Sequence, residues 1–228
     1  MKRPALELMV TLWPQFEHFR DFSRDRRVTG GIRLNSAMMG PSEVDEQIAL
    51  MEQAQPEVPI FFDVKARQLR VVETNVGVKT HLELVLNHPI EVDLREPITV
   101  LFKGGNDYAL LERVTDQGRR LIFKGGPKYA VIAGESIHLR HPSYRMLGSV
   151  FTHVEKEKIV KFRKAGITRW FLSYVEQIGD VREFEELVGR GAEIRLKIES
   201  EAGLAYVQHG FVKRDGLSLV IAMLLYGS

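Results

Sequence analysis

The chain has 228 residues, 44% hydrophobic and 27% charged, which suits a soluble protein with one large domain or a domain carrying an insert. A formal net charge of +2, with cations scattered among acids, excludes an electrostatic argument for nucleic acid, and the absence of cysteine excludes disulfides and thiolate chemistry. No apolar run approaches the ~20 residues of a membrane span, and no signal-type stretch follows Met1-Lys2-Arg3, so a cytoplasmic protein without membrane contact is expected.

Leu6–Pro14 reads as a strand, and Phe16–Val28 as a helix carrying Phe16, Phe19 and Phe22 among charges. Gly31–Asn35 is a short strand. Ser42 and Asp45 have capping-box spacing ahead of a helix that runs to about Gln53. Val58–Lys65 is an apolar strand entered through Pro56 and Pro59. The rhythm then changes. Residues 71–149 are rich in Val, Ile and Thr, alternate with a period near two and are broken by Gly-Gly and Pro, which predicts a β module. Helical rhythm returns at Thr152 and Glu155, a second capping-box spacing, ahead of Lys156–Ala165. Ile167–Val175 reads as a strand, Val181–Val188 as a helix capped by Asp180, and Glu193–Ile198 and Asp215–Ala222 as strands.

Strands alternating with helices predict a parallel sheet with right-handed crossovers. The expected fold is therefore α/β, of (β/α)8 TIM-barrel type, incomplete at about six βα units, with a β-rich lid inserted after the third strand. Residues 1–70 and 150–228 form the discontinuous barrel domain, and 71–149 the insert. Within the insert, Phe102-Lys103-Gly104-Gly105 and Phe123-Lys124-Gly125-Gly126 echo each other; turn chemistry explains both, and a phosphate cradle is the weaker alternative. His138 and His141 fall on opposite faces of an alternating strand, which argues against a metal pair. Trp13 and Trp170 lie in apolar strands and are expected in the core.

In a βα barrel, chemistry sits where strands end. The polar residues there are Arg33, Asn35, Asp63, Lys65, Ser173, Lys197 and Glu199. Such a set suits a phosphorylated carboxylic acid held through a divalent metal. Glu199 is the candidate ligand for Mg²⁺ or Mn²⁺, Lys197 the charge on a transferring phosphoryl group, and Arg33 or Arg70 the clamp on its oxygens. The plainer alternative is that these charges pair with one another across the rim.

Several segments resemble the pyruvate kinase family, in order along the chain. Thr11-Leu12-Trp13-Pro14 is similar to that family's Thr-Ile-Gly-Pro, and Ile32-Arg33-Leu34-Asn35 to its Arg-Met-Asn segment. Phe62-Asp63-Val64-Lys65, followed by Leu69-Arg70, resembles Leu-Asp-Thr-Lys-Gly-Pro-Glu-Ile-Arg, after which the family inserts its mobile domain. Thr152 to Lys156, Ser173-Tyr174-Val175 with Asp180-Val181, and Lys197-Ile198-Glu199 with Gly203 resemble later family segments. The resemblance implies phosphoryl transfer between phosphoenolpyruvate and a nucleoside diphosphate. Lys197, Arg33 and Lys65 would serve the phosphoryl group, and Arg70 and Ser173 would contact substrate. Glu199 would hold Mg²⁺ or Mn²⁺, and Asn35 and Asp63 would hold K⁺.

The chain departs from the pattern at three places. Ser36-Ala37-Met38 stands where the family has Phe-Ser-His, and Glu176 where it has Arg. Ala222-Met223-Leu224-Leu225 replaces Ala-Arg-Gly-Asp and with it the second acidic metal ligand. A barrel closes only with a full set of strands, so a sequence incomplete at its C-terminus, a second chain or homo-oligomer that completes the barrel, or an open half-barrel is expected. A lyase or aldolase of the phosphoenolpyruvate and pyruvate-binding barrels, and a non-catalytic binding relative, are the alternative functions.

Overall fold

A computed structural model describes residues 7–75 and 81–221, which divide into two compact units: 7–66 with 153–221, and 67–75 with 81–152. The first unit runs β1 (Met9–Thr11), α1 (Phe19–Arg24), β2 (Gly31–Asn35), α2 (Val44–Ala54), β3 (Ile60–Val64), α3 (His153–Lys164), β4 (Arg169–Leu172), α4 (Ile178–Val188), β5 (Glu193–Ile198), α5 (Glu201–His209) and β6 (Leu217–Ile221). The six strands form one parallel sheet whose spatial order is their chain order. Asn35 lies opposite Asp63, Val64 opposite Leu172, and Leu172 opposite Leu196, so the C-terminal ends of β2 to β5 are level.

Alternation along the strands decides what each face carries. In β5, Ile194, Leu196 and Ile198 are buried while Glu193, Arg195 and Lys197 are half-buried. The apolar set packs beneath the helices: Phe62 stacks on Phe162 of α3 at 4.2 Å, and Trp170 meets Phe184 of α4 edge-on at 5.9 Å. Each such fully buried aromatic stabilises the fold by roughly 1.5–3 kcal/mol. Trp13 and Trp170 both lie in this core. β3 is buried at every position, as a central parallel strand covered on both faces should be.

Several local features differ from the sequence expectation, among them a first strand confined to Met9–Thr11 and a start of α4 at Ile178, with Asp180 inside the helix. α1 is shorter than 16–28, because phenylalanines three apart drift round a helix; Phe19 is buried while Phe16 and Phe22 are exposed. The Ser42 and Asp45 box does not form; a short 3₁₀ turn at Pro41–Glu43 leads into α2, with the Gly40 N–H donating to Glu43 Oε2 at 2.8 Å. α5 was not anticipated. Its signals are Ser200, whose Oγ accepts the Gly203 N–H at 3.1 Å, Glu201 in the first turn and Gly210 at the end.

The second unit holds a six-stranded antiparallel sheet in the spatial order 138–139, 98–102, 107–115, 120–124, 83–86, 71–74, beside a two-stranded ribbon of 90–91 and 145–146. Its own core includes Leu84, Leu86, Val100, Phe102, Leu121 and Phe123, all fully buried. The echoed Phe-Lys-Gly-Gly segments place Phe102 and Phe123 edge-on at 5.7 Å, and Lys103–Gly105 turns the chain between two antiparallel strands. Turn and core thus account for the echo.

The protein is therefore mixed α/β, with a parallel sheet and a separate antiparallel β unit. Among the described residues β1 and β6 are sheet edges and do not pair with each other, so these six strands do not by themselves close a barrel. The segment 222–225 lies outside the described residues. No helix among the described residues is long and apolar enough to cross a membrane.

Candidate functional site

Level strand ends gather the residues that close β2, β3, β4 and β5 at one rim of the parallel sheet. Asp63, fully buried, is their hub. Its Oδ2 accepts from Arg33 Nε at 2.6 Å and from Lys65 Nζ at 2.7 Å, and Lys197 Nζ lies 3.6 Å away. Its Oδ1 accepts from Ser173 Oγ at 2.9 Å. Lys197 Nζ donates to Ser173 Oγ at 3.0 Å and pairs with Glu199 Oε1 at 3.1 Å. Arg33 also donates through Nη1 to Thr11 Oγ1 at 3.1 Å, a partner on β1 that spacing arguments do not single out.

The backbone just past β3 and β4 is unusual. Ala66 and Tyr174, which follow Lys65 and Ser173, have φ of 46° and 52°, in the left-handed region. Each N–H is held by a carboxylate: Ala66 by Glu155 Oε1 at 3.0 Å, Tyr174 by Glu199 Oε2 at 3.2 Å. The Ala66 bond joins residues 89 apart in sequence, and no local signal could have revealed it.

Burial would raise the Asp63 carboxyl, but Lys65, Lys197 and Arg33 together outweigh it and pull the group down to about 2. Lys65 is lowered to about 8, first by burial and then by the like charges of Lys197 and Arg33, against the opposing pull of Asp63. The pairing expected of a structural rim is present. Within the ion pairs themselves, Arg33, Lys65 and Lys197 face Asp63 and Glu199, three cations against two carboxylates. One layer towards the N-terminal ends, Phe61 and Phe171 lie 5.2 Å apart beneath the Arg195 guanidinium, which is 4.3 Å from the Phe61 ring centre.

Of the expected site residues, Arg33, Asp63, Lys65, Ser173, Lys197 and Glu199 form one bonded cluster. Asn35 lies opposite Asp63 in the sheet, but its Oδ1 accepts the Ala37 N–H at 3.3 Å and caps the 36–38 turn. Arg70 belongs to the second unit, where its guanidinium bonds the Gly134 carbonyl and Gln68 Oε1 and its N–H donates to Asn87 at 2.8 Å. As metal ligands the candidates are unequal. Both oxygens of Asp63 are taken by cations and Ser173, whereas Glu199 faces one lysine and one N–H. Among the described residues no three His, Asp or Glu side chains are grouped to hold a metal ion.

No family model matches the chain, and no curated protein matches it in sequence. Among solved structures, the crystal structure of Cryptosporidium parvum pyruvate kinase matches with a TM-score of 0.64 at 14% identity, over 89% of this chain and 48% of that one. The chain thus spans about half the length of the pyruvate kinase chain it matches. At that identity the likeness shows the fold alone, a pyruvate-kinase-like arrangement.

Proposed function

We propose that the rim cluster binds a phosphorylated carboxylic acid, and that the chain forms the larger part of a (β/α)8-type barrel. Its activity would be phosphoryl transfer between phosphoenolpyruvate and a nucleoside diphosphate. The observation carrying this reading is the positive charge that Arg33, Lys65 and Lys197 hold in excess of Asp63 and Glu199 at level strand ends. A polyanion answers that surplus, and preorganised cations stabilise charge that develops on phosphoryl oxygens. Lys197 would swing on its unbranched stem from Ser173 to a phosphoryl oxygen. Arg33 offers a planar fork already steadied by Asp63 and Thr11. Asp63 holds the three cations close together.

Mg²⁺ or Mn²⁺ at Glu199 would have to share oxygens that bond Lys197 Nζ and the Tyr174 N–H, with substrate oxygens completing its shell, and when bound it would neutralise charge on the phosphate. A K⁺ ion at Asn35 and Asp63 would have to share oxygens already bonded within the protein. In this reading residues 67–152 are a lid. The strands that complete the barrel would come from a second chain or a homo-oligomer, and the setting would be cytoplasmic.

Calorimetry with phosphoenolpyruvate, with and without Mg²⁺, tests the binding. Pyruvate release with ADP tests the transfer. Binding that weakens at least several-fold in Lys197→Met is expected, and no binding by the parent would end the reading. A second reading, a binding relative without transfer, is favoured by Glu199 being the cluster's one carboxylate not crowded by several cations. Binding without pyruvate release would select it.

A further inference from the structure

We infer that Glu155, in the first turn of α3, is a positioning residue for Lys65, acting through the Ala66 backbone. The inference rests on reading the rim cluster as a binding site, but its geometry is independent of any ligand. Lys65 lies one residue past the end of β3, where the ladder no longer fixes the chain. Its amine must nevertheless stay 2.7 Å from Asp63 Oδ2 while 5% exposed. The following residue, Ala66, holds φ at 46°, a conformation that costs a non-glycine residue roughly 1–2 kcal/mol. The peptide plane between Lys65 and Ala66 is set by Lys65 ψ and Ala66 φ. Its N–H is gripped by Glu155 Oε1 at 3.0 Å. Releasing that grip lets Ala66 relax towards the right-handed basin and turns the peptide that orients Lys65.

The grip depends on reach and on an acceptor oxygen, not on charge, and two conservative variants separate these. Glu155→Asp keeps the negative charge near the N-terminus of α3 but is one methylene short. Glu155→Gln loses the charge and keeps both reach and acceptor. The readout is the rate at which Lys65 is acetylated by acetic anhydride, followed by peptide mass mapping, with phosphoenolpyruvate calorimetry beside it.

Lys65 should be protected in the parent and in Glu155→Gln, and modified several-fold faster in Glu155→Asp. Adding Ala66→Gly to Glu155→Asp should return the rate towards the parent value, because glycine adopts the left-handed region without strain. Equal rates in all variants would overturn the inference. So would a Glu155→Gln rate like that of Glu155→Asp, or failure of glycine to restore protection. If the parent binds no phosphoenolpyruvate, the proposed function fails while the labelling still decides this point.

Discussion

Asp63 meets three cations with two oxygens, and that crowding has measurable consequences. Replacing it by Asn would leave Arg33, Lys65 and Lys197 repelling one another in a buried place, at a cost of about 3–5 kcal/mol in urea unfolding. The carboxyl, pulled down to about 2, contributes stability that is fully present above the unfolded value of ~3.9. That contribution is lost as pH falls through about 2, and Asp63→Asn should erase this acid limb. Lys65 acts with the opposite slope. Its folded value of about 8 lies below the unfolded ~10.4, so between these the unfolded chain binds more protons. Stability from this group therefore rises with pH across that window, and Lys65→Met should flatten the rise. Lys197→Met keeps the apolar stem, so melting should change little. If transfer occurs, losing this preorganised charge should slow it by roughly two to three orders of magnitude. A sharp fall in melting with unchanged activity would make Lys197 a structural partner only. The six clustered residues were legible because strand ends could be read from period-two runs. That Asp63 would be the hub, with Lys197 bonded to Ser173, was not, since both depend on which strands become neighbours.

β2 and β5 correspond residue for residue to the expected 31–35 and 193–198. Each has clean alternation, and Gly31 marks the entry to β2. That glycine has φ of 92°, and a Cβ there would stand 2.2 Å from the Pro59 carbonyl oxygen, beside the bond from the Ile32 N–H to the same oxygen at 2.8 Å. Gly31→Ala should therefore destabilise by at least ~2 kcal/mol, combining left-handed strain with a backbone clash. Urea midpoints with an unchanged m-value would measure it, and a near-neutral result would show that β2 can shift away from β3. Helices were harder to read. α1 and α5 have few buried side chains, so their apolar periodicity is faint, and only the end signals Ser200, Glu201 and Gly210 marked the second.

At the scale of the molecule, each unit carries its own buried core. Removing residues 67–152 and joining Ala66 to His153 through a short Gly/Ser linker should leave a parallel-sheet unit that unfolds in one cooperative transition. Residues 67–152 expressed alone should also resist limited proteolysis. Loss of cooperativity in either fragment would mean that the cores depend on each other. The sequence by itself determined the succession of strands and helices, the break to period-two patterning in the middle of the chain, and the identity of the polar strand-end residues, because these follow from local periodicity and turn chemistry. Only the tertiary structure decided that the Arg70 guanidinium bonds Gly134 and Gln68, that Asp63 rather than Glu199 gathers the cations, and that Glu155 reaches back to Ala66. Those outcomes turn on strand register and on contacts between residues tens of positions apart, which no local pattern encodes.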